Sequence, residues 1–205
     1  MGRALSVSDL MNKRYKLLEF EGQWEAAFSQ PERYGTWLVW GGSGNGKTTF
    51  VLELAKYMCQ FGRVAYVSQE ESSAYTMRLA FERVGMQEVV GKMILIERED
   101  VGEIMQRLAK PKSPDVVIID SLQYSDMNWS QYKKLKESNP KKLIVFISHA
   151  EGKMPEGRIA KKVMHDAALK IYVEGYRAFS KGRYIGSNGG VYEIWKEGAE
   201  RYWGN

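Results

Sequence analysis

The segment Gly41-Gly42-Ser43-Gly44-Asn45-Gly46-Lys47-Thr48 follows the apolar run Thr36-Trp37-Leu38-Val39-Trp40 and precedes a stretch with helical apolar spacing. Glycines let the backbone fold so tightly that several N–H groups and the N-terminus of the next helix converge on one spot, which suits a phosphate. Lys47 adds a mobile positive charge for the β- and γ-phosphates, and Thr48 a hydroxyl for Mg²⁺. Gly41 through Thr49 therefore read as a cradle for ATP with Mg²⁺. A glycine-rich turn that merely caps a helix is the competing reading, and the strand-loop-helix setting weighs against it.

Two carboxylates complete the chemistry. Asp120 closes the apolar run Val116-Val117-Ile118-Ile119, where it can hold Mg²⁺ from the end of a buried strand beside the loop, or simply cap the next loop or helix. Hydrolysis also needs a group to orient and deprotonate water. Glu70 and Glu71 follow Val64-Ala65-Tyr66-Val67-Ser68, and a strand's C-terminal edge faces the ligand crevice of an open α/β sheet. Glu70 is the candidate base; Glu71, next to Ser72, reads equally as a helix N-terminal carboxylate.

Positioning these groups requires alternating strands and helices. Strands are expected at Thr36–Trp40, Val64–Val67, Met93–Ile96, Val116–Ile119 and Leu143–Ile147, all continuous apolar runs that imply burial on both faces. Thr48–Gln60, Ser72–Val84 and Val101–Lys110 carry apolar residues at three- and four-residue spacing, as crossover helices do. The alternation predicts a mostly parallel sheet covered on both sides. Beyond Gly175, glycines separate short stretches such as Val191–Trp195, which read as antiparallel hairpins extending the sheet. Residues 1–34 read as an N-terminal helical arm and 35–205 as one α/β domain.

Composition narrows the setting. The 205 residues suit one core, and 30 Lys plus Arg against 25 Asp plus Glu tilt mildly toward polyanionic partners. The single cysteine, Cys59, cannot pair within the chain and falls on an apolar helix, where a buried thiol is expected. No signal-peptide pattern and no apolar run long enough for a bilayer is present, so a soluble cytoplasmic protein without membrane contact is expected.

Taken in order, Gly41–Thr48, Tyr66-Val67-Ser68-Gln69-Glu70-Glu71-Ser72, Val117-Ile118-Ile119-Asp120-Ser121-Leu122-Gln123 and Ile147-Ser148-His149 resemble the RecA-like P-loop ATPase superfamily, and most of all the ATPase core of the bacterial RadA/Sms DNA repair family. The resemblance implies a RecA-like fold, Glu70 as the catalytic carboxylate and His149 as a γ-phosphate sensor; from the residues alone, His149 is as readily a structural strand-end histidine. It also implies that Lys181-Gly182-Arg183-Tyr184-Ile185-Gly186 acts in trans on a neighbouring subunit's nucleotide. This stretch keeps a Lys-x-Arg-aromatic order but has an extra residue before the last glycine, and an ordinary basic hairpin is its alternative. That family's cysteine-rich zinc module and Lon-like domain do not fit this sequence, which reads as a bare motor core of a phage or mobile-element kind.

In RecA-like proteins the loop after the sensor strand grips single-stranded DNA. Here that loop would be Ala150–Lys162, flexible through its glycines, with Lys153, Arg158, Lys161 and Lys162 as DNA-binding cations. A second basic segment has Tyr124, Trp129 and Tyr132 ahead of Lys133, Lys134 and Lys136, although aromatic residues on a helix more often belong to the core. The resemblance thus implies an ATPase acting on single-stranded DNA in recombination or repair and assembling into a homo-oligomeric ring or filament. A DnaB-type helicase motor shares that chemistry, and a nucleotide-switched scaffold or signalling ATPase is the alternative without DNA. A small-molecule kinase would need an acceptor pocket and an arginine-rich lid, which the sequence does not display.

Overall fold

The computed structural model describes residues 4–70, 74–186 and 188–204. Helices α1 (Val7–Met11) and α2 (Gly22–Phe28) precede β1 (Gly35–Gly41) and α3 (Lys47–Met58). Then follow β2 (Val64–Ser68), α4 (Tyr75–Val84), β3 (Met93–Glu97), α5 (Val101–Leu108), β4 (Val116–Asp120), α6 (Trp129–Ser138) and β5 (Leu143–Glu151). The remaining elements are β6 (Met154–Pro155), α7 (Gly157–Asp166), β7 (Leu169–Glu174), β8 (Arg177–Gly182), β9 (Gly190–Glu193) and α8 (Lys196–Trp203).

The strands hydrogen-bond in the order β3-β2-β4-β5-β1-β7-β8-β9, with β6 paired to the end of β5. Pairings from β3 across to β7 are parallel, and β8 and β9 add on antiparallel. This is the mostly parallel sheet with antiparallel C-terminal strands that the sequence predicts. Alternation along each strand feeds two cores. Trp37 and Val39 of β1 join Phe50, Leu54 and Met58 of α3 on one side, while Leu38 and Trp40 join Ile104 of α5, Leu135 of α6 and Val163 of α7 on the other. Helices on both faces follow from that two-sided burial.

Several expectations change in three dimensions. Of the five apolar runs, Met93–Ile96 is not buried on both faces: β3 is an edge strand, Ile96 is buried, and Ile94 is 44% exposed. The strand of Asp120 is not beside the strand of the phosphate loop, because β5 pairs with both β1 and β4 and lies between them. The N-terminal stretch divides in two. α1 buries no residue, whereas Leu18, Phe20, Ala27 and Phe28 belong to the α3-side core, so that half is part of the domain's packing. α6 and α8 carry few apolar residues and were not among the expected crossover helices. Of the stretch Ser72–Val84, the helix is described from Tyr75; Glu71 and Ser72 lie outside the described residues. Cys59 is buried, and no described helix is long and apolar enough to cross a membrane.

Candidate nucleotide site

β1 delivers the glycine loop to the C-terminal edge of the sheet, and α3 begins at Lys47. Gly44 and Gly46 have φ of 75° and 90°, the left-handed region that side chains disfavour, so the loop's course needs glycine there. Gly41 has a different constraint: a Cβ on it would stand 2.3 Å from the Val173 carbonyl oxygen. Asn45 clamps the loop to the β7–β8 turn. Its side-chain oxygen accepts from the Gly175 N–H at 2.8 Å, its carbonyl accepts from the Tyr176 N–H at 3.2 Å, and its amide nitrogen donates to the Ser43 carbonyl at 3.1 Å. The loop, Thr48 and Thr49 line a cleft of about 340 Å³ together with Glu70, Arg83, His149 and Tyr176.

Asp120 sits at the inner end of this region, accepting a hydrogen bond from the Tyr66 hydroxyl. Burial pushes its carboxyl up, while the Tyr66 hydrogen bond and the Lys47 charge hold it down; Glu70 adds a smaller upward push. The Asp120 carboxylate and the Thr48 hydroxyl are hard-oxygen ligands of the kind Mg²⁺ takes. The glycine cradle, Lys47, Thr48 and Asp120 therefore fit Mg²⁺–ATP.

Glu70, just beyond β2, and His149 of β5 converge: Glu70 Oε2 and His149 Nε2 lie 3.4 Å apart. The backbone at His149 is held by Gln123 of the segment after β4. Its N–H donates to Gln123 Oε1 at 3.2 Å, while Gln123 Nε2 donates to Ser148 Oγ and to the Glu156 carbonyl, each at 2.9 Å. The peptide between Asp120 and Ser121 is cis. Tyr66, Arg83, Gln123 and Tyr176 were missed as site residues by sequence reasoning. Tyr66 and Gln123 fall inside the motif stretches quoted above but carried no assigned role, whereas Arg83 and Tyr176 lie outside every motif and reach the cleft only through the fold.

The remaining predicted residues lie elsewhere. β8 runs antiparallel to β7, with Gly182 opposite Leu169, while Gly41 is level with Val173 at the other end of β7. Lys181 and Arg183 thus stand at the end of the sheet remote from their own phosphate loop. Ala150–Lys162 is not the flexible loop expected: β5 extends to Glu151, pairs with β6, and α7 starts at Gly157. The backbone there is ordered because the hairpin and helix satisfy its N–H and C=O groups. Lys153 and Arg158 are exposed, Lys161 pairs with Glu151 at 3.1 Å, and the Lys162 ammonium lies 5.5 Å from the Trp129 ring centre. In the second basic segment Tyr124 stays exposed, whereas the other two aromatic residues pack together. Tyr132 is fully buried and donates to Asp166, and Trp129 stacks on it with ring centres 4.9 Å apart.

A family model described as "AAA domain" matches residues 37–158. Over 87 residues the chain is 38% identical to the DNA repair protein RadA of Mycobacterium tuberculosis, a match covering 42% of this chain and 18% of that protein, so the chain spans about a fifth of the relative's length. Among solved structures, the flagellar accessory protein FlaH of Methanocaldococcus jannaschii superposes with a TM-score of 0.62 at 15% identity, covering 84% of this chain and 92% of that one. A KaiC-like protein of Pyrococcus horikoshii gives 0.57 at 16% identity over 86% and 91%. The likeness of these two shows a shared fold. With the glycine loop, Glu70, Asp120 and His149 all inside the matched span, the chain belongs to the AAA-domain family, with a RecA-like P-loop fold and a segment similar to part of RadA.

Proposed function

We propose that the chain binds ATP with Mg²⁺, hydrolyses it, and couples turnover to single-stranded DNA as a homo-oligomer. The observation that carries this reading is the gathering of the glycine loop, Lys47, Glu70 and His149 around one cleft with Asp120 at its inner edge. The loop amides and Lys47 hold the β- and γ-phosphates, and Thr48 and Asp120 hold the metal. When bound, Mg²⁺ neutralises charge on the phosphate oxygens. Glu70 accepts a proton from water as its oxygen attacks the γ-phosphorus and the bond to the β-γ bridging oxygen breaks, yielding ADP and phosphate. His149, held by Gln123, registers the γ-phosphate and passes its loss to the β5–β6 hairpin through Glu156.

The remote placement of the Lys181–Arg183 turn supports action on a neighbour's nucleotide, since it stands away from its own loop. Exposed Lys153 and Arg158, with Lys161 and Lys162 beside them, are the cations offered to a DNA backbone. The RadA relationship supports DNA as the partner. Steady-state ATP hydrolysis with and without single-stranded DNA, run beside a solution mass measurement, tests the reading. Stimulation by DNA in a multimer is expected. Hydrolysis indifferent to DNA, with no DNA binding, would favour a nucleotide-switched scaffold instead.

A further inference from the structure

A second cleft, of about 490 Å³, opens on the sheet face away from α3 and shares no lining residue with the nucleotide site. Its size is in the range of small-molecule sites, about 300–1,000 Å³. Lys170 of β7 and Lys181 of β8 stand directly opposite each other in the antiparallel register. Like charges so placed destabilise a sheet unless an anion lies between them. Lys153, from the β5–β6 turn, is a third ammonium lining the same cleft. Among the described residues none of the three lysines forms an ion pair, and the cleft's one lining carboxylate, Glu174, accepts from the Tyr202 hydroxyl at 3.5 Å.

The floor between these charges is aromatic. Tyr172 lies opposite Phe179; Trp40 is 5.6 Å from Tyr172 and Trp203 is 5.8 Å from Phe179, ring centre to ring centre. The Trp40 N–H is already committed to the Lys153 carbonyl at 3.1 Å, so Trp40 backs the cleft without offering a free hydrogen-bond donor. Ring faces beside unpaired ammonium groups match a flat base joined to a phosphate, without sequence readout.

We propose that this cleft binds a nucleotide unit of a single-stranded nucleic acid, its base against the Tyr172–Phe179 surface and its phosphate at Lys153, Lys170 and Lys181. The assignment rests on the single-strand reading above. Lys181 then belongs to this cleft, and the contact with a neighbour's nucleotide falls to Arg183, which lies in the turn beyond β8.

The test uses the full chain, a labelled oligothymidylate at several salt concentrations, thymidine monophosphate alone, and the variants Lys170→Glu and Phe179→Ala. Lys170→Glu should weaken oligonucleotide binding about tenfold or more and flatten the salt dependence by about one ion, while its melting temperature stays level or rises as the facing lysines are relieved. Phe179→Ala should weaken binding roughly 5- to 100-fold with an unchanged salt slope, the signature of lost stacking. Should Phe179→Ala fail to fold, the Lys170→Glu slope decides. DNA-free ATP hydrolysis should be unchanged in both variants. Wild-type binding with both variants equal to it would overturn the cleft and leave the single-strand reading standing. Binding of neither oligonucleotide nor thymidine monophosphate by the wild type would remove both. Variant-sensitive binding of the monophosphate alone would keep the nucleotide cleft, make its ligand a free nucleotide, and remove the single-strand reading.

Discussion

Replacing Glu53 with glutamine should stabilise the protein above neutral pH and leave it unchanged in acid. Glu53 sits on α3, two turns beyond the phosphate loop, and accepts from the Tyr192 hydroxyl at 3.2 Å, in a cleft that also holds Lys56, Glu88 and Lys92. Burial raises its pKa from an ordinary 4.5 to about 7, against the opposing Tyr192 hydrogen bond and Lys56 charge. The raised value means that the folded state holds a proton which the unfolded chain releases between pH 4.5 and 7. The stabilisation is therefore complete below pH 4.5 and lost as pH rises through 7. At 1.36 kcal/mol per pKa unit the span corresponds to at most about 3 kcal/mol, and screening of this partly exposed group brings it nearer to 1 kcal/mol. Glutamine keeps the shape and never charges. The variant should melt about 2–4 °C above wild type at pH 8 and together with it at pH 4.5, measured by circular dichroism. If the two curves fell in parallel across that range, the buried-carboxylate argument would be wrong.

The other expectations concern the site. Glu70→Gln should keep ATP affinity and lose about 10²–10⁴ in turnover, read by filter binding beside phosphate release; normal turnover would remove Glu70 as the base. Lys47→Ala should lose about 10²–10³ through the missing charge on the phosphates. Mixing Arg183→Ala with Glu70→Gln subunits should restore activity at sites built from one good half of each, and mixtures that stay inactive at every ratio would count against a shared site. Gly41→Ala should destabilise by about 1–3 kcal/mol in a urea titration, because its methyl group meets the Val173 carbonyl oxygen.

The glycine loop and the strand–helix alternation were legible because each is written locally, as glycines at turn positions and apolar periods; Glu70 and Asp120 were candidates as carboxylates following apolar runs, and the role for His149 came from the family resemblance rather than from its surroundings. The same locality misjudged β3, whose apolar run reads like a central strand although, among the described residues, no strand pairs with its outer edge. It also read Ala150–Lys162 as a loop, since glycines and charges do not announce a hairpin that pairs back onto β5. Strand order was the larger gap. That β5 stands between β1 and β4, that Asn45 ties the loop to Gly175, that Arg83 and Tyr176 reach the cleft, and that Lys170 faces Lys181 all depend on contacts between residues far apart in the chain. The amino-acid sequence alone determined which chemistry is present and the period of each element. Only tertiary packing decided which elements become neighbours, because pairing energy arises between segments whose own sequences carry no record of each other.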